Sequence, residues 1–236
     1  MTYATNQEQW DLLNSKIINC RKCPRLVSWR ENVASIKRRA FCDEKYWGRP
    51  VPGFGDVQAK IIVVGLAPGA HGSNRTGRMF TGDKSGQFLY RALYQAGFAN
   101  QPISIDREDG LKLNGLFISA LCRCVPPANK PTKDEIRNCR PFLEEEIDLL
   151  VDLIGFVSLG QIAFSETSSL LINKSQFNKS KGTKFFHGAF YSSENGNPWI
   201  LASYHPSQQN TQTGRLTIMM FEQIWNKARS LLDKSK

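Results

Sequence analysis

The chain has 236 residues, of which 41% are hydrophobic, and it carries 31 lysines and arginines against 21 aspartates and glutamates, a formal charge of +10. This length suits one large domain with a sizeable core, so we expect a single domain over residues 1–236. No apolar run approaches the ~18 residues of a membrane helix, so we expect no membrane partner, and the positive charge favours a polyanion such as nucleic acid.

The N-terminal segment predicts a helix over residues 6–19, with Trp10, Leu13 and Ile17 on one face. No apolar signal segment precedes it, so secreted disulfides are disfavoured and we expect a cytoplasmic, nucleoid-associated protein. Basic residues crowd the first fifth of the chain. A solvated helix face would explain such a run, but Lys37, Arg38 and Arg39 are also candidates for phosphate contacts.

Four cysteines predict a metal centre that ties the N-terminal segment to the middle of the chain: Cys20, Cys23, Cys124 and Cys139. Intervals this uneven are less typical of a zinc ribbon than of an iron–sulfur cluster, so a [4Fe–4S] cluster is predicted, with zinc as the alternative. From spacing alone Cys122 could replace Cys124. Otherwise Cys122 and Cys42 are expected to pack as small apolar residues.

Residues 46–56 are rich in glycine and proline and predict a loop. Beyond it lie four apolar runs, at residues 61–64, 116–121, 156–159 and 199–202. Continuous runs of this kind are typical of strands covered on both faces, as in a parallel sheet.

Helical patterns separate these runs. An apolar stripe ends at Gly97, Thr132 and Glu135 form a capping-box pattern, a shorter helix follows Gly160, and a helix is predicted over residues 216–233. Asn195-Gly196 predicts a hairpin and therefore one antiparallel edge. Together these patterns predict an α/β fold, a three-layer α/β/α sandwich around a mostly parallel, four-stranded sheet.

Ligands of such sheets bind beyond the carboxyl ends of the strands, where two loops are unusually long. Residues 65–83 are rich in glycine, but Arg78-Met79 stands where a phosphate-binding loop requires Lys-Ser/Thr, which excludes that motif. Residues 204–215 begin with Tyr204-His205-Pro206. A histidine at this position could stabilise charge that develops on a ligand.

Taken together, these segments resemble family 5 (type b) of the uracil-DNA glycosylase superfamily. The resemblance spans nearly the whole chain and is carried by Cys20–Cys23, Tyr46–Asp56, Gly65–Asp83, Cys124–Cys139 with Pro126–Pro131, and His205–Arg215. It implies a monofunctional DNA N-glycosylase that excises uracil and initiates base-excision repair. The runner-up is a non-catalytic, cluster-bearing DNA-binding module of the same fold, and a zinc-stabilised nucleoside hydrolase is a third, weaker alternative.

The resemblance also assigns roles. Phe80 would stack on a flipped base, in a pocket lined by Gly65, Leu66 and Ala67, and His205 would stabilise the departing base. The remaining assignments are DNA contacts by Ser207, Asn210, Thr213 and Arg215, and cluster ligation by Cys20, Cys23, Cys124 and Cys139. The expected partner is DNA with a deaminated base, bound by a monomer.

Two departures from the wider superfamily are informative. Leu66 and Ala67 stand where many relatives carry a residue that positions the attacking water, so Asp83 and Asn74 become the catalytic candidates. Asp83 could equally be a helix N-cap. Residues 119–121 offer no amide to read the uracil edge, which predicts a broader base range, including hypoxanthine.

Overall fold

The computed structural model describes residues 5–174, 177 and 182–234. Its strands are β1 (Phe54–Gly55), β2 (Ile61–Gly65), β3 (Leu116–Ala120), β4 (Gly155–Leu159), β5 (Phe190–Ser192) and β6 (Trp199–Ser203). They form one sheet in the order β1-β3-β2-β4-β6-β5. The four central strands are parallel, as the continuous apolar runs predicted, and the two outer strands are antiparallel to their neighbours.

The predicted count of four strands is therefore wrong. β5 is the antiparallel edge that Asn195-Gly196 predicted, whereas β1 lies inside the segment predicted to be only a loop. At Gly55, φ is +144° and a Cβ would overlap the main-chain carbonyl of Leu116. Only glycine allows this strained, close approach to β3. Gly55, a residue type that usually marks a loop, therefore permits β1 to pair with β3.

Eight α-helices lie within the described residues. They are α1 (Asn6–Ile18), α2 (Pro24–Ile36), α3 (Ser73–Thr76), α4 (Lys84–Gln95), α5 (Lys133–Leu149), α6 (Gln161–Asn173), α7 (Gln208–Gln212) and α8 (Ile218–Asp233). The predicted capping box is confirmed, because the Thr132 hydroxyl accepts from the Glu135 N–H at 3.2 Å and Glu135 Oε2 accepts from the Thr132 N–H at 2.7 Å.

Alternating strand residues feed two separate cores, which gives the predicted three layers. Ile61 and Val63 of β2 face the core formed with α4 and α8, while Ile62 and Val64 face the core formed with α1, α5 and α6. All four side chains are fully buried. Both faces of the sheet are covered, which is why its strands lack polar alternation.

The strand order places a crevice at the carboxyl ends of β2 and β4. From β2 the chain crosses to β3 on one side, and from β4 it crosses to β6 on the other. Such a reversal is where open α/β sheets bind their ligands. Among the described residues, no helix combines the length and apolar character needed to cross a membrane.

Candidate active site and cysteine pocket

A cavity of about 740 Å³ opens at this crevice. Its walls come from the loop after β2, the segment after β3 and the loop after β6. The lining includes Leu66, Ala67, Phe80, Asp83 and His205, which were all expected at the site. The two long loops that the sequence singled out thus form one cavity.

Phe80 and His205 face each other in this cavity. Their ring centroids are 5.8 Å apart and the rings are tilted by 32°. Phe80 adopts φ +52°, and its N–H donates to the Ser73 hydroxyl at 3.0 Å. The ring passes close to β2, because a Cβ at Gly65 would lie 3.0 Å from Phe80 Cζ. Gly65 therefore acts by leaving room for the ring.

His205 follows β6 and is half-buried. Burial lowers its pKa to about 4, so the imidazole is neutral near pH 7. Its main-chain carbonyl accepts from the Asn210 side chain at 2.9 Å and from the Ser207 N–H at 2.8 Å. These bonds fix the backbone turn that presents the ring, and a neutral imidazole can donate one hydrogen bond into the cavity.

Asp83 has two roles at once. Its Oδ1 accepts from the Gly86 N–H at 2.9 Å, which makes it the N-cap of α4. Its Oδ2 lies against the glycine-rich loop, where a Cβ at Gly69 would be 2.8 Å away and a Cβ at Gly72 would overlap it. Burial raises the pKa of Asp83, although hydrogen bonds from Gly86 and Ser85 oppose the rise. The carboxyl group is thus both a cap and part of the cavity wall.

A second, small pocket gathers the four predicted metal ligands. Cys20, Cys23, Cys124 and Cys139 all line it. Two donors point at sulfur: Arg30 Nη1 lies 2.9 Å from Cys124 Sγ, and Asn138 Nδ2 lies 3.6 Å from Cys23 Sγ. Burial raises the pKa of Cys124 to about 12, and Arg30 opposes that rise.

The chemistry of this pocket fits an iron–sulfur group. Four thiols converge from the α1–α2 connection, the segment after β3 and α5, and buried guanidinium groups of Arg30 and Arg123 border them. Thiolates are the ligands that iron–sulfur clusters use, and positive neighbours favour their ionised form. Within residues 5–174, 177 and 182–234, no three His, Cys, Asp or Glu side chains are arranged to hold a single metal ion.

Cys122, the alternative ligand, is buried beside this pocket rather than in its lining. A hydrogen bond with Cys139, together with burial, raises the pKa of Cys122, and the same bond lowers the pKa of Cys139 to about 6. Cys42 is exposed, so the expectation that it packs in a core is wrong.

Sequence comparison adds the family. The family model of the Uracil DNA glycosylase superfamily matches residues 52–229. The chain belongs to this superfamily. It is 51% identical to a type-5 uracil-DNA glycosylase of Thermus thermophilus over 90% of this chain and 93% of that protein. It is 49% identical to the type-5 enzyme of Mycobacterium leprae over 93% and 94% of the two chains, and 40% identical to that of Pyrobaculum aerophilum over 93% and 92%.

In this member of the superfamily, the segment after His205 is partly helical. Ser207 caps α7 by accepting from the Asn210 N–H at 3.3 Å, and the Ser207 side chain also lines the cavity. Thr213 is exposed, and its hydroxyl donates to the Gln209 carbonyl at 2.7 Å. Arg215 is exposed and lies over the Tyr204 ring at 4.8 Å. Asn210 instead points inward to the His205 carbonyl.

Asn74 lies outside the cavity lining, although the sequence made it a catalytic candidate. Its side chain is fully buried, and Nδ2 donates to the main-chain carbonyl of Arg30 at 3.2 Å. This places Asn74 between the glycine-rich loop and α2. The amide nitrogen therefore has a structural contact, and Asn74 is not part of the cavity lining.

Sequence reasoning assigned no role to several polar residues of the cavity, among them Asn129 and His71. Asn129 lines it at φ +56°, next to Ala128 at φ +51°. An asparagine in a proline-rich run was the available signal, since asparagine tolerates left-handed backbone. His71 also lines the cavity and shares a 3.1 Å hydrogen bond with Tyr46. Burial, with smaller contributions from Arg38 and Arg75, lowers its pKa.

Proposed function

We propose that this protein is a monofunctional uracil-DNA glycosylase that hydrolyses the N-glycosidic bond of uracil in DNA and so initiates base-excision repair. The observation that carries the proposal is the placement of Phe80 and His205, 5.8 Å apart, in one cavity. An aromatic face and a neutral hydrogen-bond donor are what a flipped, departing base requires. The type-5 uracil-DNA glycosylases to which the chain is similar support the same reaction.

Binding begins with extrusion of the base, because the glycosidic bond is inaccessible in the duplex stack. The base enters the cavity and stacks on Phe80, beside the apolar side chains of Leu66 and Ala67. Asn129 is the amide placed to pair with the base edge. Residues 119–121 supply no amide for this contact, and the Ser119 hydroxyl donates to Glu146 at 2.6 Å.

Bond cleavage leaves negative charge on the base. His205 stabilises this charge by donating a hydrogen bond to an oxygen of the base as the charge develops. Because its pKa is about 4, His205 acts as a neutral donor and needs no protonation. Its surroundings exclude much of the water, which strengthens the interaction.

The attacking water is oriented by Asp83. Leu66 and Ala67 have no polar side-chain atoms, whereas the Asp83 carboxyl lies in the cavity wall. A carboxylate there can accept a proton from water and can stabilise positive charge on the sugar. The carboxyl also caps α4, so its position is fixed before substrate binds.

DNA is held at the rim of the cavity by Ser207, Thr213 and Arg215 on one side. Arg38, which is exposed and lines the cavity, is the phosphate contact on the other side. Hydroxyl and guanidinium groups are typical partners of phosphate oxygens. We propose a monomer acting on duplex or single-stranded DNA, with uracil as the main base and hypoxanthine as a further one.

A [4Fe–4S] cluster held by Cys20, Cys23, Cys124 and Cys139 completes the proposal. When bound, such a group supplies a rigid cross-link between segments that are distant in sequence. The cysteines bring α2 and its basic continuation next to the core of the sheet. This chain's own contribution is to supply four thiolates and the buried arginines beside them.

The test is base release from defined duplexes. Purified protein should release free uracil from a U-containing duplex and leave an intact backbone at the abasic site until alkali is added. Lys84 lines the cavity, so an alkali-independent nick would indicate lysine chemistry and contradict the monofunctional assignment. Parallel duplexes with hypoxanthine and xanthine define the base range, and failure to release any of the three bases would refute the proposal.

A further inference from the structure

Arg30 is a buried cation whose shortest contacts are not to a carboxylate. Its side chain is 2% exposed, and Nη1 donates to Cys124 Sγ at 2.9 Å and to the Cys20 carbonyl at 3.2 Å. The neighbouring Glu31 is 3.7 Å from Nη2 and is itself bound by both terminal nitrogens of Arg21. A buried guanidinium requires a negative partner. Glu31 is a long contact that is shared with Arg21, so the cysteine pocket is the nearer candidate for that partner.

Several buried N–H donors around the pocket, among the described residues, have no hydrogen-bond partner. Among the described residues, Arg30 Nε and the Nε and Nη1 of Arg123 are buried without a hydrogen-bond partner. Both arginines line the pocket that holds the four cysteines. Arg123 also has a carboxylate partner, Glu146, at 2.6 Å from its Nη2. The three unpaired guanidinium nitrogens beside four thiols fit a site that carries net negative charge when loaded.

Hydrogen bonds connect the main chain of Arg30, beside this pocket, to the wall of the cavity. Its carbonyl accepts from Asn74 Nδ2 at 3.2 Å. Asn74 belongs to α3, and the adjacent Ser73 hydroxyl accepts the N–H of Phe80 at 3.0 Å. Two side-chain hydrogen bonds thus connect the residue that contacts Cys124 to the ring on which the base stacks.

We propose that Arg30 is a positioning residue for both sites. Its guanidinium stabilises the anionic cysteine-ligated cluster, and its main chain, through Asn74, holds the loop that presents Phe80. Asn74 is accordingly a positioning residue and not a catalytic one. The inference rests on the proposed cluster and on the proposed base excision, but its first test does not use activity.

That test compares Arg30→Met, Arg30→Lys and the control Arg21→Met in the full chain, purified without air. Arg21 lies in the same cysteine-bearing segment, but its side chain is 62% exposed and bonds Glu31. We expect Arg30→Met to shorten the lifetime of the visible cluster absorbance in air by about tenfold, the scale on which losing a ligand-orienting partner weakens metal binding. Arg21→Met should match the wild type.

A second readout separates charge from mere packing. Loss of the Arg30 cation should shift the one-electron midpoint potential of the cluster to a more negative value, since reduction adds negative charge. Arg30→Lys should restore part of the potential but less of the lifetime, because an ammonium group cannot reproduce the guanidinium fork. Equal lifetimes and potentials for Arg30→Met and Arg21→Met would overturn the proposal, as would a wild-type protein that contains no iron.

The link through Asn74 is tested by Asn74→Ala and Asn74→Leu, neither of which has a side-chain donor for the Arg30 carbonyl. We expect both to keep the iron content and the air lifetime of the wild type while kcat for uracil release falls more than KM changes. An unchanged kcat in both variants would overturn the link. If the wild type carries the cluster but releases no base, the proposed function fails, while the lifetime and potential still decide the role of Arg30.

Discussion

The ring of Phe80 and the imidazole of His205 come from loops 125 residues apart in sequence, yet their centroids lie 5.8 Å from each other. The two loops follow β2 and β6, which are separated by β4 alone. The pair therefore depends on the sheet order and forms only when the parallel strands are assembled. Each partner can be tested separately.

Replacing His205 with alanine should lower kcat by about 10²–10³-fold, the usual cost of removing one donor to developing negative charge. Binding of a uracil-containing duplex should change little, because the hydrogen bond strengthens only as the bond breaks. Single-turnover rates and a binding titration measure the two effects. His187→Gln is the matched control, since His187 bonds Met220 and Tyr204 and is not part of the cavity lining. Equal losses in both variants would contradict the role of His205.

Replacing Phe80 with leucine should reduce kcat/KM by about 10–100-fold, because stacking of a base on an aromatic ring is worth about 1–3 kcal/mol. Phe88→Leu is the control: Phe88 packs against Phe221 with centroids 5.2 Å apart and does not line the cavity. If the two variants release uracil at the same rate, Phe80 is not the stacking platform.

Asp83→Asn should lower kcat by about 100-fold, as expected for loss of a general base. The free energy of unfolding should change little, because asparagine is as good an N-cap as aspartate. Thr132→Ala provides the opposite pattern: it removes the cap of α5, costs about 1 kcal/mol of stability and leaves activity intact. A fully active Asp83→Asn variant would leave Asp83 as a cap alone.

The stability of the fold should depend on pH through His205. Its pKa is about 4 in the folded protein against an ordinary value of 6.5, so between these values the unfolded chain binds more protons. The free energy of unfolding therefore falls as the pH drops from 6.5 towards 4, and His205→Gln should remove part of this fall. Asp83, with a raised pKa, acts in the opposite direction, so the comparison is between wild type and His205→Gln at each pH. Denaturant titrations measure it, and parallel curves would mean that His205 is not buried as described.

Cys124→Ser should abolish the visible absorbance and the bound iron, whereas Cys122→Ser should keep both. The reason is that Cys124 lines the pocket with the other three proposed ligands, and Cys122 lies beside it. Iron and sulfide analysis of both variants measures the result. Loss of iron in Cys122→Ser, with iron retained in Cys124→Ser, would make Cys122 the ligand in place of Cys124. Zinc in place of iron would favour the alternative metal.

Much of the fold could be predicted because the dominant signals are local. Continuous apolar runs marked β2, β3, β4 and β6, and the Thr132 capping box marked the start of α5. β1 was not predicted, because its pairing depends on a single glycine that fits against β3. A fit between segments that are distant in sequence is not visible in the local pattern.

The site was predictable in part. Phe80 and His205 were expected to meet, and they do. The direction of the Asn74 side chain and the presence of Asn129 in the cavity were not visible in the sequence, because both depend on how a loop folds back on a distant segment. Spacing alone could not decide between Cys122 and Cys124 as the predicted third ligand, since both could reach one pocket.

β4 contributes no reactive side chain to the cavity, yet it sets the width between the two loops. β2 and β6 pair with opposite edges of β4, so their backbones are about 10 Å apart, two strand spacings. Gly160, at the end of β4, adopts φ +95°, and its missing Cβ would sit 3.5 Å from the Cβ of His205. The distance across which a nucleobase must fit is thus set by the spacing of the strands. Differences in the bases that are accepted must therefore come from the loops.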